Sequence, residues 1–249
     1  MTSTTDSRHE LVSVIEADAD LRAVIPSGEV ELARRHLVAE VITAPAGSWE
    51  PEVAGSDAIG LLVLEGLLLR ELEIGPARSL ELLGVGDLLR PWDIEPDPDL
   101  SPLSSKVAWT ILEPGRFALL DLRFAGLLGR WPGLMNEVMR RMMRRSRWLA
   151  VRLAISSLQS VADRVALLLW HLATSWGRVT PDGTIVPVSL THELIAELIG
   201  ARRPSVTTAI GELRDAGRVE RLPEGWLLTA PPPEADTGAA ASGPSMSAD

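Results

Sequence analysis

Two adjacent arginines, Arg202 and Arg203, followed by Ser205, Thr207 and Thr208, form the densest group of recognition side chains in the sequence. Guanidinium forks can hold guanine edges bidentately, and hydroxyls can meet phosphate oxygens. The surrounding segment, SLTHELIAELIGARRPSVTTAIGELRDAGRVERLPEGWLLTA at residues 189–230, supplies the elements that would position them. Thr191 suits the N-cap of a helix whose buried face is Ile195, Leu198 and Ile199. Ala196 is small where a second helix must come close, and Gly200 ends the first helix at a position that favours positive φ. A second helix begins near Arg203-Pro204. Its apolar residues Val206, Ala209, Ile210 and Leu213 follow the i, i+3, i+4, i+7 pattern, which leaves Gly211 and the five polar residues on the outer side. Gly217 stops it, and residues 219–222 and 225–228 read as strands around Pro223-Glu224. Helix, tight turn, helix and hairpin predict a winged helix-turn-helix with double-stranded DNA as ligand. The same pattern also occurs in plain packing modules.

A second cluster of chemistry is cationic. Arginines occupy positions 140, 141, 144, 145, 147 and 152, within a segment (130–159) of net charge +6, whereas residues 1–129 carry -12. One reading has these arginines solvate a helix and pair with the acidic front of the chain. The other has an acidic effector held by Arg90, Trp92, Lys106, Arg141 and Arg145. The helix is well marked: Pro132 suits a first turn, and no breaker occurs over 134–158. Met135, Met139, Met142, Leu149 and Leu153 form a heptad seam, with Ser146 filling the gap, and predict a helix pair across a homodimer.

The remaining elements read more coarsely. Residues 29–41 suit a helix running into a strand. From 45 to 121, short apolar runs (59–64, 67–72, 79–83, 107–112) alternate with turn residues at 46–48, 55–57, 75–77, 84–87 and 113–115, which suggests a sandwich or barrel. Leucine richness weakens that strand reading. Residues 91–105 are loop-like. Residues 160–175 continue as an amphipathic helix with Val161, Val165, Leu168, Leu169 and Leu172 on one face, and Asp182-Gly183 marks a hairpin. The expected domains are a flexible arm (1–20), a β-roll sensor-like domain (21–129), a dimerisation helix (130–158), a winged helix-turn-helix (159–230) and a disordered tail (231–249).

Composition bounds the function. The 249 residues are 46% hydrophobic and include no cysteine, which removes disulfides, thiolate metal sites and thiol nucleophiles. No apolar run reaches membrane-spanning length, and the N-terminus lacks the order of a signal peptide, so the cytoplasm is the expected address. His9, His36, His171 and His192 lack metal-ligand spacing, and residues 45–121 contain no histidine for a cupin-type metal centre. No phosphate-binding glycine loop, GxSxG or HExxH occurs. Neither an enzyme nor a cofactor is expected. Trp92, Trp109, Trp148, Trp170 and Trp226 read as packing residues.

The segment LTHELIAELIGARRPSVTTAIGELRDAGRV resembles the helix-turn-helix of the Crp/Fnr transcription regulators, including the threonine cap, Ala196, Gly200 and Gly217. PAGSW (45–49), GLLVLEGLLL (60–69) and LLGVGDLL (82–89) are similar to landmarks of that family's β-roll. The resemblance covers residues 20–230. It implies an α+β chain with an N-terminal double-stranded β-helix (β-roll, cyclic-nucleotide-binding-like), a long dimerisation helix and a C-terminal winged helix-turn-helix. It further implies a homodimer on a near-palindromic operator, RNA polymerase as partner, an unknown small-molecule effector, and a recognition helix at about 203–214. Departures are local. Cyclic-nucleotide binders carry Gly-Glu after the GD turn and Arg-Ser/Thr-Ala about ten residues on. Here Gly86-Asp87-Leu88-Leu89 runs into Arg90-Pro91-Trp92, and the later region is Ser104-Ser105-Lys106-Val107, so cyclic AMP is not the expected ligand. Pro204 and Thr208 stand where the family's base-reading Glu and second Arg fall, which implies a different target sequence. The alternative is a dimeric interaction protein whose winged helix binds protein.

Overall fold

The computed structural model describes residues 10–50, 57–92 and 105–233. It divides into two compact units, residues 1–151 and 152–249. The first unit is built on an antiparallel sheet. Its strands are β1 (Leu11–Ser13), β2 (Val38–Ala44), β3 (Gly47–Ser48), β4 (Gly60–Ile74), β5 (Ala77–Gly84), β6 (Leu88–Leu89) and β7 (Ser105–Leu120). Their order is β1-β2-β7-β4-β5, with β3 added on β7 and β6 on β4. Helices α1 (Val14–Ala17), α2 (Ala19–Ala23), α3 (Val30–His36) and α4 (Leu122–Leu128) flank the sheet, and α5 (Pro132–Ser157) begins beside them. The arm expected over 1–20 is ordered from Glu10: β1 pairs with β2, and Val14 and Ile15 are fully buried. Residues 1–9 and the expected tail beyond 233 lie outside the described residues, as does most of the 91–105 loop.

The leucine runs form strands because both faces of the sheet are covered. Successive strand residues point to opposite faces. Leu61 and Val63 enter a cluster with Leu68, Leu83, Leu89, Trp109, Ile111 and Phe117. Between them, Leu62 enters another, with Ala118, Leu120, Phe124, Leu128, Trp131 and Leu134 from the opposite face and its helices. Alternation with polar residues, the usual mark of a strand, therefore disappears.

Two expected apolar runs join into one strand, and one expected turn is a bend within another. The runs 59–64 and 67–72 belong to the single strand β4, and Glu113-Pro114-Gly115 lies inside β7. The two strands pair with register shifts between Val63 and Leu68. Gly66 has φ +98°, and a Cβ there would sit 2.7 Å from Gly115 Cα and Pro114 O. Alanine at Gly66 is expected to destabilise the first unit by about 1–3 kcal/mol through backbone strain alone. Denaturant unfolding followed by tryptophan fluorescence would measure it, and an unchanged midpoint would refute the close-approach account.

The second unit holds α6 (Val161–Trp176), a hairpin of β8 (Arg178–Thr180) and β9 (Gly183–Val186), α7 (His192–Ile199), α8 (Arg203–Asp215), β10 (Val219–Leu222) and β11 (Gly225–Leu228). Its sheet order is β10-β11-β9-β8. The buried face of α6 is Val165, Ala166, Leu168, Leu169 and Leu172. The boundary between the compact units falls inside α5, after Val151.

Candidate nucleic-acid interface

Local chemistry places α7 and α8. Thr191 caps α7 by accepting a hydrogen bond from Leu194 N at 3.1 Å. Gly200 ends the helix in the left-handed region (φ +64°), and Ala201 N closes the turn onto Ala196 O at 2.8 Å. Pro204 sits in the first turn of α8, where its missing N–H breaks no helical bond. Ile195, Ala196, Leu198 and Ile199 pack beneath Val206, Ala209 and Leu213, all buried, while Ile210 is only half-buried. Arg202, Arg203, Ser205, Thr207 and Thr208 are all exposed on α8 and its lead-in, as the spacing predicted.

Their hydroxyls are not equivalent. Thr207 Oγ1 donates to Arg203 O at 3.1 Å, and Thr208 Oγ1 donates to Pro204 O at 3.2 Å. Both hydroxyls thus have an acceptor on the backbone of their own helix. Arg202 makes no capping bond, and Arg203 has an exposed partner in Glu193 at 3.7 Å. Exposed pairs of this kind are worth ~0–1 kcal/mol, so Arg203 can change partner at little cost. Arg221, on β10 of the same unit, is structural. It donates to Leu190 O and Ser189 Oγ, both at 3.0 Å, and lies 4.4 Å over the buried Trp226 ring. Arg214 pairs with Asp215. His192, not singled out by its sequence context, bridges the two helices: its Nδ1 lies 3.0 Å from Thr207 Oγ1.

In the first unit a cavity of about 350 Å³ is lined by Arg70, Leu88, Arg90, Trp109, Arg145 and Leu149, among others. Two of the five expected effector residues, Arg90 and Arg145, line it. Glu81, buried, takes a two-pronged bond from Arg145 (2.7 and 2.8 Å) and lies 3.6 Å from Arg70. Neither Arg70 nor Glu81 carries a sequence signal that marks it out. The other three expected residues stand elsewhere. Arg141 is buried, donating to Asp18 (2.7 Å twice), Glu137 (2.9 Å) and Gly86 O (3.0 Å). Lys106 is exposed opposite Glu73 on the β4–β7 pair, and Trp92 packs on the core around Trp109 and Phe117.

Burial alone would raise the Asp18 pKa, but the Arg141 guanidinium and the Leu21 N–H outweigh it and hold it below its usual value. Glu137 is likewise held down, against its burial, by Arg140 and Arg141. Asp87 goes the other way: burial pushes its pKa up, against the Gly84 N–H and Arg144. Arginines 141, 144 and 145 thus serve mainly to hold α5 to Asp18, the Gly86-Asp87 turn and Glu81.

Residues 163–231 match the family of the Crp-like helix-turn-helix domain. The global nitrogen regulator of Synechococcus elongatus is 34% identical over 73 residues, 28% of this chain and 33% of that protein. The chain thus spans about a third of that relative's length in the match. A cyclic nucleotide-binding domain containing protein from Listeria monocytogenes superposes with a TM-score of 0.61 at 13% identity, covering 85% of this chain and 97% of the other. FixK2 from Bradyrhizobium japonicum superposes with a TM-score of 0.55 at 15% identity, covering 78% and 94%. Residues 163–231 of the second unit are thus similar to the Crp-like helix-turn-helix domain, and the chain shares the fold of these solved proteins.

Proposed function

We propose that the protein is a sequence-specific DNA-binding transcription regulator that acts as a homodimer on a near-palindromic operator. The observation that carries this reading is the exposure of Arg202, Arg203 and Ser205 at the start of α8, on a helix pair whose other side packs through Ile195, Leu198, Val206 and Leu213. Helix α8, near residues 203–214, is the recognition helix. A homodimer is supported by the apolar seam of α5: Met135, Met139, Met142, Leu149 and Leu153 are 39%, 52%, 48%, 45% and 73% exposed in the single chain. Pairing two such helices would bury the seam, and RNA polymerase is the partner that regulators of this type imply.

The effector, if one is used, is not cyclic AMP. The Gly86-Asp87-Leu88-Leu89-Arg90 stretch lacks the Gly-Glu pair, its one carboxylate, Asp87, is taken up by Gly84 N and Arg144, and the buried carboxylate of the cavity, Glu81, is held by Arg145. A small anion with an apolar portion suits the lining of Arg70, Arg90, Trp109 and Leu149.

Selection from a random duplex pool with ligand-free protein tests the proposal. The expected result is an enriched palindrome with half-sites about one helical turn apart, bound by a species of twice the chain mass in sedimentation. No enrichment, with or without a metabolite extract, together with binding that ignores salt, would favour a winged helix that binds protein.

A further inference from the structure

The hydrogen bond between α7 and α8 constrains one imidazole. Thr207 Oγ1 has a single proton, and taking Arg203 O, the helix carbonyl 3.1 Å away, as its acceptor fixes the role of the imidazole. The contact with His192 Nδ1 can coexist with that bond only if the imidazole donates its Nδ1–H to Thr207 Oγ1. In the neutral ring Nε2 is then a bare acceptor. Phosphate oxygens also only accept, so neutral His192 has nothing to offer a DNA backbone. Protonation leaves the bond to Thr207 intact and turns Nε2–H into a charged donor.

We propose that His192 is a further DNA-contacting residue that engages a phosphate only as imidazolium, so that operator binding takes up a proton. The inference rests on the DNA-binding reading above. Its position supports it: His192 is the first residue of α7, half-buried, and is tied to the exposed face of the recognition helix. The charged groups around it are few. Glu193 and Arg203 face each other at 3.7 Å, and Arg221 from β10 is bonded to Leu190 O and Ser189 Oγ just before the helix. Arg164 from α6 and Arg152 from α5 reach the opposite end of α7, at Gly200 O and Leu198 O. Guanidinium and carboxylate groups ordinarily keep their charge between pH 6 and 8, where imidazole does not. The other histidine of this unit, His171, has its pKa pushed down by burial, which favours the neutral ring.

The test uses the full chain and the operator recovered by selection, at constant ionic strength. Affinity is expected to be about tenfold tighter per half-site at pH 6 than at pH 8, the scale of one charged hydrogen bond, and so about a hundredfold tighter for a dimer on two half-sites. Calorimetry in buffers of different ionisation enthalpy should show proton uptake that His192→Gln abolishes. Thr207→Val leaves the histidine in place but frees its tautomer, so a neutral Nε2–H can form, and the pH dependence should flatten toward the tight limit. A flat profile in the natural protein, or a slope that survives His192→Gln, overturns the inference while leaving DNA binding intact. Failure to bind DNA at every pH would instead sink the regulator reading itself.

Discussion

Arg141→Ala is expected to destabilise the first unit by about 3–5 kcal/mol, the range for removing one partner of a buried ion pair. The side chain is 3% exposed, and it neutralises Asp18 (10%) and Glu137 (6%) at once. Its loss leaves two carboxylates and the Gly86 carbonyl with fewer partners in a poorly solvated place. The pH dependence carries a definite sign. Asp18 and Glu137 have folded pKa values held below their ordinary ones, so their contribution is present above the unfolded values and is lost as pH falls through the folded values. The natural protein should therefore lose stability more steeply than Arg141→Ala on acidification below about pH 4. The triple variant Arg141→Met, Asp18→Asn, Glu137→Gln should recover much of the loss, because no unpaired charge stays buried. Chemical denaturation at pH 7 and at about pH 3 checks all three statements. A stable Arg141→Ala protein that had merely lost response to a metabolite would return this arginine to an effector site.

The double variant Arg202→Ala, Arg203→Ala should lose about 1–3 kcal/mol of operator affinity for each base contact removed. In a dimer the change falls on both half-sites. Both side chains are exposed, and only the weak Glu193 contact is broken within the protein, so folding should be untouched. Anisotropy titrations at two salt concentrations against matched and scrambled duplexes would separate the causes. Lost base contacts lower affinity for the matched site most, whereas lost phosphate contacts weaken both duplexes and reduce the salt slope. Equal affinity of variant and natural protein for the operator would remove the recognition assignment.

The order of elements was legible in the sequence because its marks are local. Thr191, Ala196, Gly200, Pro204 and Gly217 each act within a turn of where they stand, and the helix pair of residues 192–215 follows from them. Sheet boundaries were less legible. A glycine that permits close backbone approach and a glycine that reverses the chain are the same letter, so Gly66 and Gly115 read as breaks where the strands run on. Arginine roles on α5 could not be read at all. Arg141 and Arg145 differ only in what faces them, and Asp18 and Glu81 reach them across 123 and 64 residues of chain. Thr207 was legible as an exposed residue but not as one whose hydroxyl is already committed, since that depends on the neighbouring helix.

A strand covered on both sides also raises the question of how its alignment is specified. Where one side of a sheet is wet, a shift by one residue throws apolar groups into water and is rejected. Across Leu61, Leu62 and Val63 both parities are apolar and buried, so that penalty is weak. The notch at Gly66 supplies what the pattern lacks. A slip by one position would bring Glu65 or Leu67, with its Cβ, against the Pro114-Gly115 backbone, where 2.7 Å is all the room there is. This close approach in the β-roll thus acts as a key that fixes which residue of one long strand meets which residue of the other, a task that hydrophobicity performs in most sheets and cannot perform here.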